Sequence, residues 1–179
     1  MPDFPNIILF AIPFFIIAML IELYVTTKRH IKTYEAKDAF SSIAMGLGNV
    51  VLGFASKALV LLAFFFIYDN YRLITIPVVW WSFALLFFAD DISYYWFHRI
   101  SHGSRIFWAS HVVHHSSQRY NLSTALRQTW SGGFYTFIFW LWLPVLGFHP
   151  AMIILQMSIS LLYQFWIHTE AINKMPRWF

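Results

Sequence analysis

The chain contains no cysteine and few charged residues, and each shortage excludes a class of protein. Without cysteine, neither disulfide bridges nor thiolate metal ligands can form, so any metal must be held by nitrogen or oxygen. Charged residues make up 11% of the 179 residues, whereas about 25% is usual in globular proteins. Apolar residues reach 59%. A soluble domain of this length cannot bury so much apolar surface, so the composition predicts a membrane protein.

The basic residues are spread between apolar segments and form no continuous stripe, although the formal net charge is +4. This distribution argues against a nucleic-acid partner. The densest basic group contains Lys28, Arg29, Lys32 and Lys37, which the positive-inside rule places in the cytoplasm. We therefore interpret these residues, and the four arginines of residues 98–127, as signals of membrane topology.

Apolar segments long enough to cross a bilayer alternate with short polar connections. We expect spans near residues 6–25, 39–68 and 77–97. Residues 128–169 contain no Asp, Glu, Lys or Arg, and a break at Gly147–Pro150 divides them into a predicted helical hairpin. The sequence thus predicts an all-α, polytopic membrane protein with four to five transmembrane helices. Two spans lie in residues 1–76, and the others lie in residues 77–179.

Small residues recur at four-residue spacings in the second predicted span. They are Ser42, Ala44, Gly46 and Gly48. Because small side chains let helices approach closely, we expect another helix to pack on this face.

Five of the eight histidines lie between residues 98 and 115, at the predicted cytoplasmic end of the third span. They form the patterns His98-x-x-x-His102 and His111-x-x-His114-His115, and helical spacing places them on shared faces. Imidazole binds iron, copper, zinc or nickel. Because one metal needs only three or four protein ligands, so many histidines suggest two metals.

Other polar residues are candidates to complete or support this cluster. His168 ends the last predicted span on the same side of the membrane and is a sixth candidate ligand. Asp91 precedes His98 by two helical turns, while Gln164 and Glu170 flank His168. Each of the three is a candidate to orient a ligating imidazole. The alternative interpretation of Asp91 is a charged helix end that faces a wet cavity.

The remaining polar residues of note have structural interpretations. His30 lies in the basic loop, and His149 precedes Pro150 in a turn on the opposite side of the membrane. Asn121 and Ser123 precede the segment TALRQTW, where their short polar side chains are typical of helix caps.

The histidine patterns and their surroundings resemble the fatty acid hydroxylase/sterol desaturase superfamily. The stretches YYWFHRISH, HVVHHSSQRYNLSTALRQ and LLYQFWIHTE are similar in particular to its alkylglycerol monooxygenase-like branch. The resemblance covers about residues 80–179. The ordered HxxxH and HxxHH boxes, together with the NLSTALRQ and QFWIHTE stretches, make it specific.

The resemblance implies a membrane non-haem di-iron oxygenase that uses dioxygen on a lipid. The implied reaction is hydroxylation or desaturation at a C–H position, or cleavage of an ether lipid. Residues 77–179 would be the catalytic domain and residues 1–76 its membrane anchor. A lipid substrate within the bilayer and an external electron donor, of the pterin or the cytochrome/ferredoxin type, are implied partners. The implied ligands of the two iron ions are His98, His102, His111, His114, His115 and His168.

Members of this superfamily carry a third histidine box, HxxHH, beyond the segment that matches NKMPRWF. This chain ends at Phe179. We therefore expect the chain to be a C-terminally truncated version of the catalytic domain.

Three other interpretations stay open on the sequence. A haem-binding membrane electron carrier would present paired axial histidines from two helices. A divalent-metal transporter would place histidines or carboxylates near the middle of the bilayer. An inactive truncated membrane fragment would fold without a complete site.

Overall fold

The computed structural model of the chain describes residues 7–172, 174 and 177. Its α-helices are α1 (Ile7–Lys28), α2 (Ala36–Tyr71), α3 (Trp80–Gly103), α4 (Arg105–His111), α5 (Trp142–Leu146) and α6 (Pro150–Trp166). Short 3-10 helices occur at His114–Ser116, Leu122–Leu126, Gly132–Phe134 and Thr136–Trp140. The described residues contain no strand, so the predicted all-α fold class is confirmed.

The first two helices have the length and composition to cross a membrane, over Phe10–Lys28 and Ala36–Tyr71. Large apolar side chains on both helices, such as Phe14 and Phe54, are exposed. Apolar exposure on this scale is disfavoured in water and is typical of a surface that faces lipid.

The predicted hairpin in residues 128–169 has its break in the predicted place but is built from shorter helices. Gly147 ends α5 in a left-handed conformation with φ 109°, and Pro150 is the first residue of α6. The apolar helical stretch before the break covers Thr136–Leu146, and α6 has 17 residues. Gly132, Gly133 and Pro144 oppose a long regular helix in this region. The two helical pieces of the hairpin are therefore shorter than the roughly 20 residues that a full crossing of a bilayer usually needs.

The third helix extends further than the predicted span at residues 77–97, because it continues to Gly103. Its last two turns carry His98 and His102. The first half of the histidine patterns therefore lies on the same rigid helix as the apolar segment.

The apolar core lies where α2 and α3 meet the chain on either side of Gly147. Phe64 of α2, Leu86 of α3 and Met152 of α6 are fully buried in it. This core joins the second predicted span to the region that carries the histidines, because aromatic and aliphatic side chains from both regions pack together.

The small residues of α2 do receive a close neighbour, but that neighbour is not a long helix. A Cβ added to Gly46 would lie 2.9 Å from the carbonyl oxygen of Leu126. A Cβ added to Gly48 would lie 2.4 Å from the Trp130 ring. The predicted close approach is confirmed, whereas the partner is the irregular chain around residues 126–130.

Candidate metal centre

Four histidine side chains converge where α3 ends. The Nε2 atoms of His98 and His102 lie 3.3 Å apart, one helical turn from each other. The Nε2 atoms of His111 and His115 lie 3.2 Å apart. One ligand nitrogen from each of the four lies within 4.8 Å of the other three. We refer to these residues as the four-histidine cluster.

A tight reversal at Ser104 brings the two histidine patterns together. Its extended backbone, with φ −108° and ψ 127°, interrupts the helical conformation between α3 and α4. The Ser104 N–H donates to the Ile100 carbonyl at 2.8 Å, and its carbonyl accepts from the Trp108 N–H at 2.8 Å. Because one residue is bonded to both helices, α4 folds back beside α3 and carries its histidines to His98 and His102.

Aromatic side chains surround the four-histidine cluster. Tyr94 lies one turn before His98 and stacks on it, with ring centroids 5.8 Å apart. Trp108 stacks on His115, also at 5.8 Å. Rigid rings of this kind restrict the orientations that the imidazoles adopt.

His114 and His168 form a separate pair whose Nε2 atoms lie 3.2 Å apart. Nδ1 of His114 donates to the carbonyl of Arg127 at 3.1 Å. Nδ1 of His168 donates to the carbonyl of Gln164 at 2.5 Å. A carbonyl only accepts, so both Nδ1 atoms carry protons and, in the neutral rings, both Nε2 atoms carry lone pairs. Two lone pairs at this distance repel each other unless a cation lies between them.

The pair and the cluster are adjacent. The ring centroid of His114 lies 5.3 Å from that of His115 and 5.9 Å from that of His111. The six histidines predicted as metal ligands therefore gather at one place in two groups, four and two.

Burial keeps several of these imidazoles neutral. Burial, reinforced by the neighbouring histidines, lowers the pKa of His111 to about 3. Burial lowers the pKa of His114 to about 4, although its hydrogen bond to the Arg127 carbonyl acts in the opposite direction. The pKa of His115 is also lowered, mainly by burial. Neutral imidazole is the form that binds metal, so these residues need no deprotonation near pH 7.

The geometry of the donors fits metal coordination. Two imidazole ligands of one metal, each at about 2.0–2.1 Å, are separated by roughly 2.8–3.4 Å when the angle between them is near 90–110°. The three close Nε2 pairs, at 3.2–3.3 Å, fall in this range. An all-imidazole donor set suits iron, copper, nickel and zinc.

The other predicted supporting residues take different positions. The side chains of Asp91 and Glu170 are exposed, and neither is hydrogen-bonded to a histidine among the described residues. Gln164 orients His168 through its backbone carbonyl and not through its side chain, which donates to Ser160 at 3.4 Å. Asp90, the neighbour of Asp91, is the buried acid, and its Oδ1 accepts from the Trp140 indole at 2.6 Å.

Of the residues predicted to be structural, His149, Asn121 and His30 are placed as expected, whereas Ser123 lies inside the 3-10 helix that Asn121 caps. The side chain of His149 caps α6 by accepting from the Ala151 N–H at 3.2 Å. The Asn121 side chain caps the 3-10 helix Leu122–Leu126 by accepting from the Ser123 N–H at 3.0 Å. His30 is exposed in the loop after α1, where its φ is 57°.

A buried ion pair that the sequence patterns do not indicate lies near the histidines. The Arg127 guanidinium donates to Oδ1 of Asp38 at 2.6 Å, to Oγ of Ser42 at 3.1 Å and to Oγ of Ser116 at 2.9 Å. The carbonyl of the same arginine accepts from His114. The pair therefore fastens the start of α2 to a carbonyl that orients a histidine. The basic residue of the ALRQ segment is the sequence signal for this pair, although its position in the sequence indicates only a topology charge.

An all-α chain with apolar helices long enough to cross a membrane and six converging histidines defines a class of membrane protein with a candidate multi-histidine metal centre. The chain belongs to the fatty acid hydroxylase family, whose model matches residues 83–179. This match includes all six histidines.

Curated relatives are similar to this chain along almost its whole length. The chain is 38% identical to the alkylglycerol monooxygenase of Homo sapiens and 34% identical to that of Xenopus tropicalis. Each match covers 97% of this chain and 39% of the relative, so the chain spans about two fifths of their length. The alkylglycerol monooxygenase of Danio rerio is 37% identical over the same shares. No solved structure matches the chain.

Proposed function

We propose that this chain carries most of the metal centre of a membrane di-iron oxygenase that acts on a lipid. The observation that carries the proposal is the convergence of six histidines from three separate chain segments, with close Nε2 pairs at metal-ligand spacing. Membership in the fatty acid hydroxylase family and similarity to alkylglycerol monooxygenases support the reaction class.

The two groups of histidines have different roles in this proposal. The four-histidine cluster would hold one iron, and the His114–His168 pair would supply part of the coordination of a second. Two bound irons would supply the chemistry for oxidation of a lipid C–H position by dioxygen, with electrons from an external donor of the pterin or the cytochrome/ferredoxin type. The protein side chains orient the imidazoles and hold them neutral.

The proposed arrangement in the membrane follows from the position of the centre at one end of α3. Residues 1–76 anchor the catalytic region at residues 77–179, four to five helices cross the bilayer, and the histidines face the cytoplasm. Exposed apolar side chains on α3, including Phe88, Ile92 and Trp96, precede the histidines along the helix. A lipid tail packed on this face would reach the metal centre from within the bilayer, while dioxygen and reductant enter from the aqueous side.

The experiment combines metal analysis with isotope labelling. The chain is purified from membranes, and its iron content and absorption spectrum are measured for wild type, His98→Ala and His30→Asn. Each purified protein is then incubated under ¹⁸O₂ with an alkylglycerol, a fatty acid or a sterol as substrate. A tetrahydropterin or a reduced ferredoxin is added as the electron donor.

The proposal predicts non-haem iron in the wild type and in His30→Asn, less iron in His98→Ala, and ¹⁸O in a lipid product or a new double bond. Asparagine suits position 30 because it tolerates positive φ. A Soret band without non-haem iron would show a haem protein instead. Metal transport into liposomes without lipid oxidation would show a transporter.

A further inference from the structure

A buried carboxylate near the end of α1 is linked by hydrogen bonds to the two chain segments that hold His114 and His168 in place. Glu22 is 4% exposed although all the residues of α1 before it are apolar. It accepts hydrogen bonds from the Tyr34 hydroxyl at 2.5 Å, from the Leu122 N–H at 2.9 Å and from the Thr169 hydroxyl. All three partners donate, so both carboxyl oxygens act as acceptors.

Two of these three hydrogen bonds lead to the histidine pair. Thr169 directly follows His168 in the chain. Leu122 begins the 3-10 helix Leu122–Leu126, and the next residue, Arg127, provides the carbonyl that accepts from His114. One carboxylate therefore bridges two chain segments, each of which carries or orients one histidine of the pair.

We propose that Glu22 is a positioning residue that sets the distance between His114 and His168 by holding the Thr169 hydroxyl and the Leu122 N–H on one carboxylate. The inference rests on the proposed role of this pair as metal ligands. It also gives α1, which lies outside the residues that match the family model, a direct part in building the centre.

The physical basis is the strength and the rigidity of bonds to a buried carboxylate. Hydrogen bonds to an ionised acceptor are shorter and stronger than those between neutral groups. If the carboxylate is removed, the Leu122 N–H and the Thr169 hydroxyl lose their hydrogen-bond acceptor. Water does not reach this place to replace it. The two segments would then separate or repack. A shift of a fraction of an ångström in either histidine would weaken metal binding, because metal–nitrogen bonds are only about 2.0–2.1 Å long.

The third hydrogen bond provides a matched control. Tyr34 donates to the same carboxylate, but it lies in the loop between α1 and α2 and neither carries nor orients a histidine of the pair. Burial, together with the hydrogen bond to Glu22, raises the pKa of the Tyr34 hydroxyl, so it remains a donor. Tyr34→Phe therefore removes one bond to Glu22 without removing either connection to the pair.

The test is a Co²⁺ titration of the full chain in detergent, followed by visible absorption. Wild type is compared with Thr169→Val, Thr169→Ser, Glu22→Gln and Tyr34→Phe. His168→Ala identifies which class of Co²⁺ sites belongs to the pair. Circular dichroism and thermal unfolding are measured for every variant, so that a failure to fold is recognised.

We expect Thr169→Val and Glu22→Gln to weaken Co²⁺ binding at the pair by about tenfold or more, the size typical of lost partners of metal ligands. Thr169→Ser should restore affinity because it restores the hydroxyl. Tyr34→Phe should lower thermal stability with little change in Co²⁺ affinity. The four-histidine cluster should bind Co²⁺ equally well in all of these variants.

Three outcomes would overturn the inference in distinguishable ways. Co²⁺ bound at the pair in wild type, with unchanged affinity in Thr169→Val and Glu22→Gln, would refute the positioning role and leave the proposed function standing. If His168→Ala bound as much Co²⁺ as wild type, no class of sites would depend on His168. That result would refute both the positioning role and the proposed function of the pair. Equal weakening in Tyr34→Phe and Thr169→Val would show that Glu22 acts only on general stability.

Discussion

The Nε2 atoms of His114 and His168 lie 3.2 Å apart although 54 residues separate them in the chain. Each ring is oriented by an Nδ1–H bond to a backbone carbonyl, from Arg127 and Gln164 respectively. Because the two orienting carbonyls come from different segments, the pair exists only when the 3-10 helix Leu122–Leu126 and the end of α6 are both in place. The pair is thus a sensitive reporter of the tertiary fold.

Replacing His168 should remove one class of metal sites and leave the other. In His168→Ala we expect the purified chain to lose the metal that the His114–His168 pair binds, since the single imidazole of His114 is a weak ligand. The four-histidine cluster should still bind. Equilibrium dialysis with Co²⁺ measures both classes. His30→Asn, in an exposed loop, is the matched control and should bind as wild type does. Unchanged binding in His168→Ala would contradict the prediction.

Replacing His111 should have the complementary effect. His111 contributes to the four-histidine cluster and contacts the rings of His98 and His102, with centroids 5.0 Å away from each. We expect His111→Ala to weaken metal binding at the cluster strongly. Asp91→Asn is the comparison, because the Asp91 side chain is exposed and bonded to no histidine among the described residues. A weakening in Asp91→Asn equal to that in His111→Ala would assign Asp91 a supporting role that the geometry does not provide.

Breaking the buried ion pair should destabilise the fold. Arg127 and Asp38 have side chains only 9% and 12% exposed. Arg127→Met keeps much of the apolar stem but leaves the Asp38 carboxylate without its cation, which costs roughly 3–5 kcal/mol in buried pairs. Unfolding in detergent at increasing SDS concentration measures the change. Arg119→Met, at an exposed position, should stay within about 0.5 kcal/mol of wild type. Similar stabilities for the two variants would refute the prediction.

Two glycines of α2 should respond oppositely to the same substitution. A methyl group at Gly46 would lie 2.9 Å from the Leu126 carbonyl oxygen, so Gly46→Ala should cost about 1–3 kcal/mol by forcing the backbone apart. At Gly53 no atom of the described residues outside the helix's own backbone lies within 4 Å of the added carbon. Gly53→Ala should therefore stabilise the helix by about 0.5–1 kcal/mol. The same SDS titration measures both, and equal effects would show that the contact with Leu126 is not tight.

Local patterns in the sequence were enough to predict the all-α fold class and most of the candidate metal ligands. The spacing of His98 from His102 is one helical turn, so any helix there places both imidazoles side by side. The break at Gly147–Pro150 and the cap at Asn121 follow equally from local backbone chemistry. The lengths of the two helical pieces around the break did not follow, because the 3-10 turns at residues 132–140 depend on packing against α2 and α3.

The supporting interactions were beyond reach of the sequence. Of two adjacent acids, Asp90 is buried and Asp91 is exposed, and only the orientation of α3 against Trp140 decides which one is inside. The sequence indicates a topology charge at Arg127, yet its side chain is buried against Asp38, 89 positions away in the chain. Hydrogen-bonded partners so distant in the chain leave no periodic signal.

The sequence by itself determined an all-α membrane chain, its two histidine patterns and the family resemblance, because composition and helical spacing act within a few residues. Only the tertiary structure decided that six histidines divide into a cluster of four and a pair. That division depends on the reversal at Ser104, on the Asp38–Arg127 ion pair and on the Glu22 carboxylate. Each joins segments that local physics leaves independent, since a hydrogen bond or an ion pair selects a partner only after packing has brought it within about 3 Å.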